Sequence, residues 1–193
     1  MSQISARAIV IGGSAGSVDA LTTILSALPA EFSVPIIAVV HIPPDSKSLL
    51  PEILQPKCLL AIEEIEDKTP ALPGHVYIAP PNYHVLPEKD GLLSLSAEEE
   101  VLFSRPSIDV LFETAVDAYN SELIGILITG ANEDGARGLR CIVDAGGMAI
   151  IQDPATAHAP MMPRAAQKTC PQAPLMTLKQ IGEFLARNVT SCR

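Results

Sequence analysis

The chain has 193 residues, enough to bury a sizeable core without disulfides. Nearly half of it is apolar (48%) and only 18% is charged, which excludes a disordered chain and suits a sheet buried on both faces. A formal net charge of −9, with no cluster of Lys and Arg, argues against nucleic acid and anionic membrane surfaces as partners. Cys58, Cys141, Cys170 and Cys192 are scattered, without the paired spacing of a zinc site or a disulfide framework. The first residues lack the basic and long apolar regions of a secretory leader, and no apolar run is long enough to span a bilayer. The expectation is a cytoplasmic chain forming one domain over residues 1–193, with no membrane insertion.

Ala6–Ile11 is a short β-branched run ending at Gly12-Gly13, and it reads as a buried strand. Val18, Leu21, Ile24, Leu25 and Leu28 recur at helical spacing, predicting a helix from Ser17 to Leu28 that Pro29 closes. Val34–Val40 is a second apolar strand, ended by His41 and Pro43-Pro44. A short helix over Ser46–Leu54 and a third strand over Leu59–Ile65 follow, and this alternation predicts βαβ units with a parallel sheet. Between Pro73 and Ser96 the character changes. His75–Ala79, Tyr83–Pro87 and Leu92–Ser96 are short runs separated by Pro80-Pro81-Asn82 and Lys89-Asp90-Gly91, and Asp-Gly is a hairpin signal. An antiparallel excursion over about 75–96 is expected. The alternation resumes with a helix over Pro106–Tyr119, a strand over Leu123–Thr129 and a turn through Asp134-Gly135. A helix to Ala145, a strand over Met148–Gln152, a loop over Asp153–Pro163 and a last helix over Leu178–Asn188 complete an α/β pattern.

Ligands of open parallel sheets bind beyond the carboxyl ends of the strands, so the residues that follow each strand carry the candidates. After the first strand stands Gly12-Gly13-Ser14-Ala15-Gly16, a match to G-x-S-x-G, the strand-to-helix elbow that projects a serine hydroxyl. The helix N-terminus behind it offers free N–H groups to an oxyanion. After the second strand comes His41, an imidazole able to take the serine proton and return it to a leaving alkoxide. After Leu123–Thr129 comes Asp134, an acceptor able to hold the imidazole tautomer.

Each of these has a second reading. A glycine-rich elbow also arises for conformational reasons alone, His41 also fits a cap ahead of Pro43, and Asp134 also fits a helix N-cap. Asp153 follows a strand too and competes for the acid role. His75 and His84 in the antiparallel segment and His158 in the late loop are weaker candidates, and Met161 and Met162 read as packing. A dinucleotide fold is excluded because the glycine spacing departs from G-x-G-x-x-G and His41 stands where its acid belongs. No P-loop lysine is present. The order Ser, His, Asp differs from the Ser, acid, His of α/β-hydrolases, so the triad chemistry is expected on another scaffold.

Six segments occur in one order: Ile11-Gly12-Gly13-Ser14-Ala15-Gly16, His41-Ile42-Pro43-Pro44, Leu72-Pro73-Gly74-His75-Val76-Tyr77-Ile78-Ala79-Pro80, Arg105-Pro106-Ser107-Ile108-Asp109-Val110-Leu111-Phe112, Thr129-Gly130 through Asp134-Gly135-Ala136, and Met162-Pro163-Arg164. Together they resemble the catalytic domain of the chemotaxis protein-glutamate methylesterase family, CheB, over about residues 6–187. The resemblance implies a doubly wound, mostly parallel sheet and hydrolysis of glutamate γ-methyl esters on chemoreceptors, with release of methanol. Many members of that family also deamidate receptor glutamines. Nucleophile, base and acid then fall on Ser14, His41 and Asp134, and Asp153 loses the acid role. The oxyanion hole falls on the N–H groups of Ala15 and Ala131. A methylated chemoreceptor is the implied partner, with no metal or organic cofactor.

The chain departs from the family pattern at Ala15, Gly16 and Ser17, where threonine and two glycines are usual. It departs again at Ala131, Asn132 and Glu133, where methionine, glycine and asparagine are usual, and at Met161, where glycine is favoured. Family members in two-component signalling usually carry an N-terminal phosphorylatable receiver domain, whereas this chain begins at the catalytic domain. Two other classes stay open: a serine hydrolase for another ester or amide, and a non-catalytic module that docks a signalling partner.

Overall fold

The computed structural model describes residues 3–41 and 48–192. The chain opens with a short strand β1 (Ile4–Ala6) and then β2 (Ala8–Gly13). β2 ends two residues beyond the apolar run, because Gly12 and Gly13 pair in register with Val39 and Val40 while carrying no side chain to announce it. Helix α1 (Ser17–Leu25) is shorter than its apolar stripe, and Leu28 is buried from a turn that follows it. Strand β3 (Ile36–Val40) starts only after Pro35, which has no N–H for a ladder. Helix α2 (Leu50–Leu54) carries Pro51 in its first turn. Residues 46–47 of the expected helix, with Ile42-Pro43-Pro44, lie outside the described residues. Then come β4 (Ala61–Glu64), β5 (Thr69–Pro70), β6 (His75–Ile78), β7 (His84–Pro87), β8 (Leu92–Ser96) and α3 (Ile108–Tyr119). The chain continues through β9 (Leu123–Leu127), α4 (Ala136–Asp144), β10 (Met148–Gln152), α5 (Met161–Thr169), β11 (Leu175–Met176), α6 (Leu178–Asn188) and β12 (Val189–Ser191).

Seven strands form one sheet in the order β11-β10-β9-β2-β3-β6-β4, and every neighbouring pair is parallel. The chain winds from β2 through β3 to one side, where β6 lies inside β4, and from β9 through β10 to β11 on the other, so the crevice of this doubly wound sheet opens between β2 and β9. Alternate residues of β2 serve opposite faces. Ile9 and Ile11 pack with Leu21 and Ile24 of α1 and Leu185 of α6, while Ala8 and Val10 pack with Leu111 and Phe112 of α3 and Leu139 of α4. Both layers are apolar, so the central strands read as unbroken hydrophobic runs. Burying each such Ile, Leu or Val contributes about 1.5–3 kcal/mol.

The antiparallel excursion does not coincide with 75–96. β7 and β8 form its hairpin and β5 joins β8, but β6 enters the main sheet between β3 and β4. Val76 and Ile78 bury on one face of β6 and Tyr77 on the other, the pattern of an interior parallel strand. The loop expected over Asp153–Pro163 gives way at Met161 to α5. Pro163 sits in the first turn of that helix, where a missing N–H leaves no partner unsatisfied. β1 pairs with β12 in a separate parallel ladder. Among the described residues, no helix is long and apolar enough to cross a membrane.

Candidate active site

Three adjacent strands, β9, β2 and β3, deliver the candidate residues to one edge of the sheet. β2 runs into Ser14 and β3 into His41, and the His41 N–H donates to the Gly13 carbonyl at 3.2 Å, so the two leave their strands as neighbours. Thr129, just past β9, holds the elbow from the other side. Its carbonyl accepts the Ser14 N–H at 2.9 Å and its hydroxyl donates to the Ala15 carbonyl at 2.8 Å. The Thr129 N–H in turn donates to the buried Gln152 side chain at 2.8 Å. Gly16 closes the elbow at φ +80°, a left-handed turn that glycine adopts without a Cβ penalty. His158 lies directly against it, since a Cβ on Gly16 would come within 2.7 Å of the His158 Cβ.

His41 Nε2 and Asp134 Oδ2 are 2.9 Å apart, and the Asp134 side chain is fully buried. The carboxylate accepts three more hydrogen bonds, from Ser107 Oγ–H at 3.0 Å, Ile108 N–H at 2.7 Å and Asp109 N–H at 2.9 Å. Ser107 is the N-cap of α3, and Ile108 and Asp109 are its first two residues, so the charge sits at the positive end of the helix. Burial by itself pushes the Asp134 carboxyl up. The His41 hydrogen bond and the Asp109 and Ile108 N–H groups outweigh burial and hold it below the usual carboxylate range. An ionised carboxylate only accepts, so Nε2 carries the proton of this pair and the Nδ1 lone pair is left over. The ring is therefore turned round relative to serine proteases, in which Nδ1 faces the acid. Ser14 is half-buried, and among the described residues no hydrogen bond joins its Oγ to the ring.

The helix reaches Asp134 because Gly12 clears its path. A Cβ on Gly12 would stand 2.2 Å from Ile108 Cγ2, so any other residue there would lift α3 off the strand end. Asp109 returns the favour to α4, accepting the Gly138 N–H at 2.7 Å. The two helices are thus capped reciprocally by buried carboxylates. Burial pushes the Asp109 carboxyl up and the neighbouring Asp134 charge adds to it, against the pull of the Gly138 N–H and Arg137.

The rival acid lies elsewhere. Asp153 Oδ1 accepts the Ala155 N–H at 2.9 Å, a turn within its own loop. His75 begins β6, at the amino end of the sheet, bonded to Glu63 and stacked on Tyr77. His84 is buried behind the Ser107 cap. Ala15 and Ala131 are exposed, and neither N–H donates to an acceptor among the described residues. Glu133 is exposed and lines a groove of about 580 Å³ with Leu102, Arg137 and Lys168. Met162 packs under Gly130, as its sequence setting suggests, whereas Met161 is exposed. Sequence patterning overlooks Ser107 and Thr129. Ser107 does carry a signal, a serine just ahead of an apolar helical stripe, but Thr129 carries none.

A family model described as CheB methylesterase matches residues 9–185. A protein of Leptospira interrogans with the provisional name protein-glutamate methylesterase/protein-glutamine glutaminase is 49% identical over 181 residues, covering 94% of each chain. Protein-glutamate methylesterase/protein-glutamine glutaminase 3 of Pseudomonas aeruginosa is 32% identical over 180 residues; the match covers 93% of this chain and 54% of that longer relative. Among solved structures, the Thermotoga maritima CheB methylesterase catalytic domain superposes with a TM-score of 0.88 at 30% identity, over 95% of this chain and 98% of that one. On matches of this length and identity, the chain belongs to the CheB methylesterase family.

Proposed function

We propose that this chain is a protein-glutamate methylesterase that hydrolyses glutamate γ-methyl esters on a chemoreceptor, in the cytoplasm, with Ser14, His41 and Asp134 as nucleophile, base and acid. The observation that carries the reading is the 2.9 Å bond from His41 Nε2 to a fully buried Asp134, at the strand end beside the Ser14 elbow. His41 Nδ1 takes the hydroxyl proton as Ser14 Oγ bonds to the ester carbonyl carbon. The negative charge that develops on the carbonyl oxygen meets the N–H groups of Ala15 and Ala131. As the C–O bond breaks, His41 returns the proton to the departing methoxide and methanol leaves. Water then repeats the sequence on the acyl-enzyme and frees the glutamate and Ser14. Asp134 keeps the ring in the Nε2–H tautomer and stabilises the imidazolium that forms. A glutamine side chain fits the same steps with ammonia as leaving group. No step requires a metal or organic cofactor.

Incubation with a fluorophosphonate, combined with methanol release from methylated chemoreceptor membranes, tests the reading. The native chain is expected to label at Ser14 and to release methanol, and Ser14→Ala to do neither while folding as before. Labelling without methanol release points to another ester or amide. Absence of labelling leaves a docking module.

A further inference from the structure

We propose that His84 is a positioning residue for the acid of this pair, acting through the Ser107 cap; the inference rests on the Ser14–His41–Asp134 reading above. His84 opens β7, in the antiparallel excursion, and is 2% exposed. Its Nδ1 faces the Ser107 N–H at 3.1 Å, and its Nε2 faces the Glu99 carbonyl at 3.0 Å. A backbone N–H can only donate and a carbonyl can only accept, so both ring nitrogens have forced roles. His84 is neutral, with its proton on Nε2.

The ring therefore clamps two points of the segment that leads into α3. Arg105 grips the same segment, donating through one guanidinium nitrogen to the Ala97 and Glu98 carbonyls at 3.1 and 2.9 Å. What the clamp delivers is Ser107. Its N–H is fixed by His84, and its hydroxyl is aimed at Asp134 Oδ1 at 3.0 Å. The next two N–H groups go to the same carboxylate. The hydrogen bonds run without a gap from His84 through Ser107 and Asp134 to His41, and His84, Ser107 and Asp134 are all buried. If Ser107 turns, the Asp134 carboxylate must turn with it or lose donors, and the His41 ring follows. His84 touches neither the ring nor any reacting atom, so its effect belongs in kcat rather than in substrate affinity.

Two substitutions separate this role from simple packing. His84→Asn keeps an oxygen acceptor close to the Nδ1 position, whereas His84→Gln reaches the Nε2 position with a donor and leaves the Ser107 N–H unpaired. The readouts are the rate of fluorophosphonate labelling at Ser14 and, on methylated receptor membranes, kcat and KM, with thermal stability measured alongside. His84→Gln is expected to lower labelling and kcat about tenfold at unchanged KM, the scale of one unpaired buried N–H in a barrier, and His84→Asn to recover most of that loss. Ser107→Ala, which cuts the hydroxyl link alone, is expected to fall in the same direction and decides the matter if His84→Gln does not fold. Native-like labelling by His84→Gln or Ser107→Ala, or equal losses in Asn and Gln that track thermal stability, would overturn the proposal. A native chain that does not label removes the triad reading, and this inference with it.

Discussion

The loops that leave β9 and β10 each carry an aspartate beyond the carboxyl end of a parallel strand, yet the two side chains meet different surroundings. Asp153 follows β10 directly, stays partly exposed and spends its carboxylate on the Ala155 N–H of its own turn. Asp134 comes several residues after β9, in a turn that its own N–H braces against Asn132, and is carried under the N-terminus of α3. There it collects two backbone N–H groups and a serine hydroxyl besides the His41 ring. Proximity to a strand end is common to both. A buried anion needs a full set of donors, and only the second position supplies one. The difference also shows that the alternatives for Asp134 were not exclusive: the residue is a helix cap, of α3 rather than of α4, and the partner of His41 at once.

The sharpest way to break that comparison is to remove the charge from one side and then the other. Asp134→Asn is expected to lower turnover by on the order of 10³–10⁴, because an amide facing Nε2 no longer selects the tautomer that frees Nδ1. The same variant turns an NH₂ toward at least one of the donors around it and is expected to lose about 1–3 kcal/mol in urea denaturation. If turnover survives in Asp134→Asn, the acid role belongs elsewhere.

Acid titration follows in size. The folded Asp134 carboxyl lies below the ordinary range, so its stabilisation is complete above the unfolded value near 3.9 and is lost as pH falls through the lower folded value. Asp109 has the opposite sign. Its raised folded value makes ionisation costly as pH rises past about 3.9, which flattens the native curve there. Stability measured from pH 7 downward should therefore drop below about pH 4 in the native chain and drop less in Asp134→Asn. The smallest effect is on the other loop. Asp153→Ala loses one turn hydrogen bond near the surface, and is expected to change stability by about 0.5 kcal/mol and turnover not measurably.

Much of this was legible along the chain. Met148–Gln152 and Leu178–Asn188 coincide with β10 and α6, since an apolar run bounded by glycine and a threonine-capped amphipathic stripe are purely local signals. The Ser14 elbow and His41 were readable because each follows an apolar strand at once. The place of β6 between β3 and β4 leaves no local signal, because it is set by pairing between segments far apart in the chain. The first turn of α5, Met161-Met162-Pro163, looks like loop along the chain, and the helix is buried by packing beside α4. Gly12 belongs to the elbow in sequence, but its nearest constraint is Ile108, almost a hundred positions on.

The alternation of strand and helix, a sheet buried on both faces and the residue types waiting at the strand ends are written along the chain itself. Those follow from local periodicity and from where apolar runs stop. Long-range folding sets which ring nitrogen of His41 meets Asp134, and it places Ser107, Thr129 and His84 behind the site. Hydrogen bonds between distant segments leave no period in a sequence. They exist only where folding has excluded water and obliged each buried donor and acceptor to find a partner.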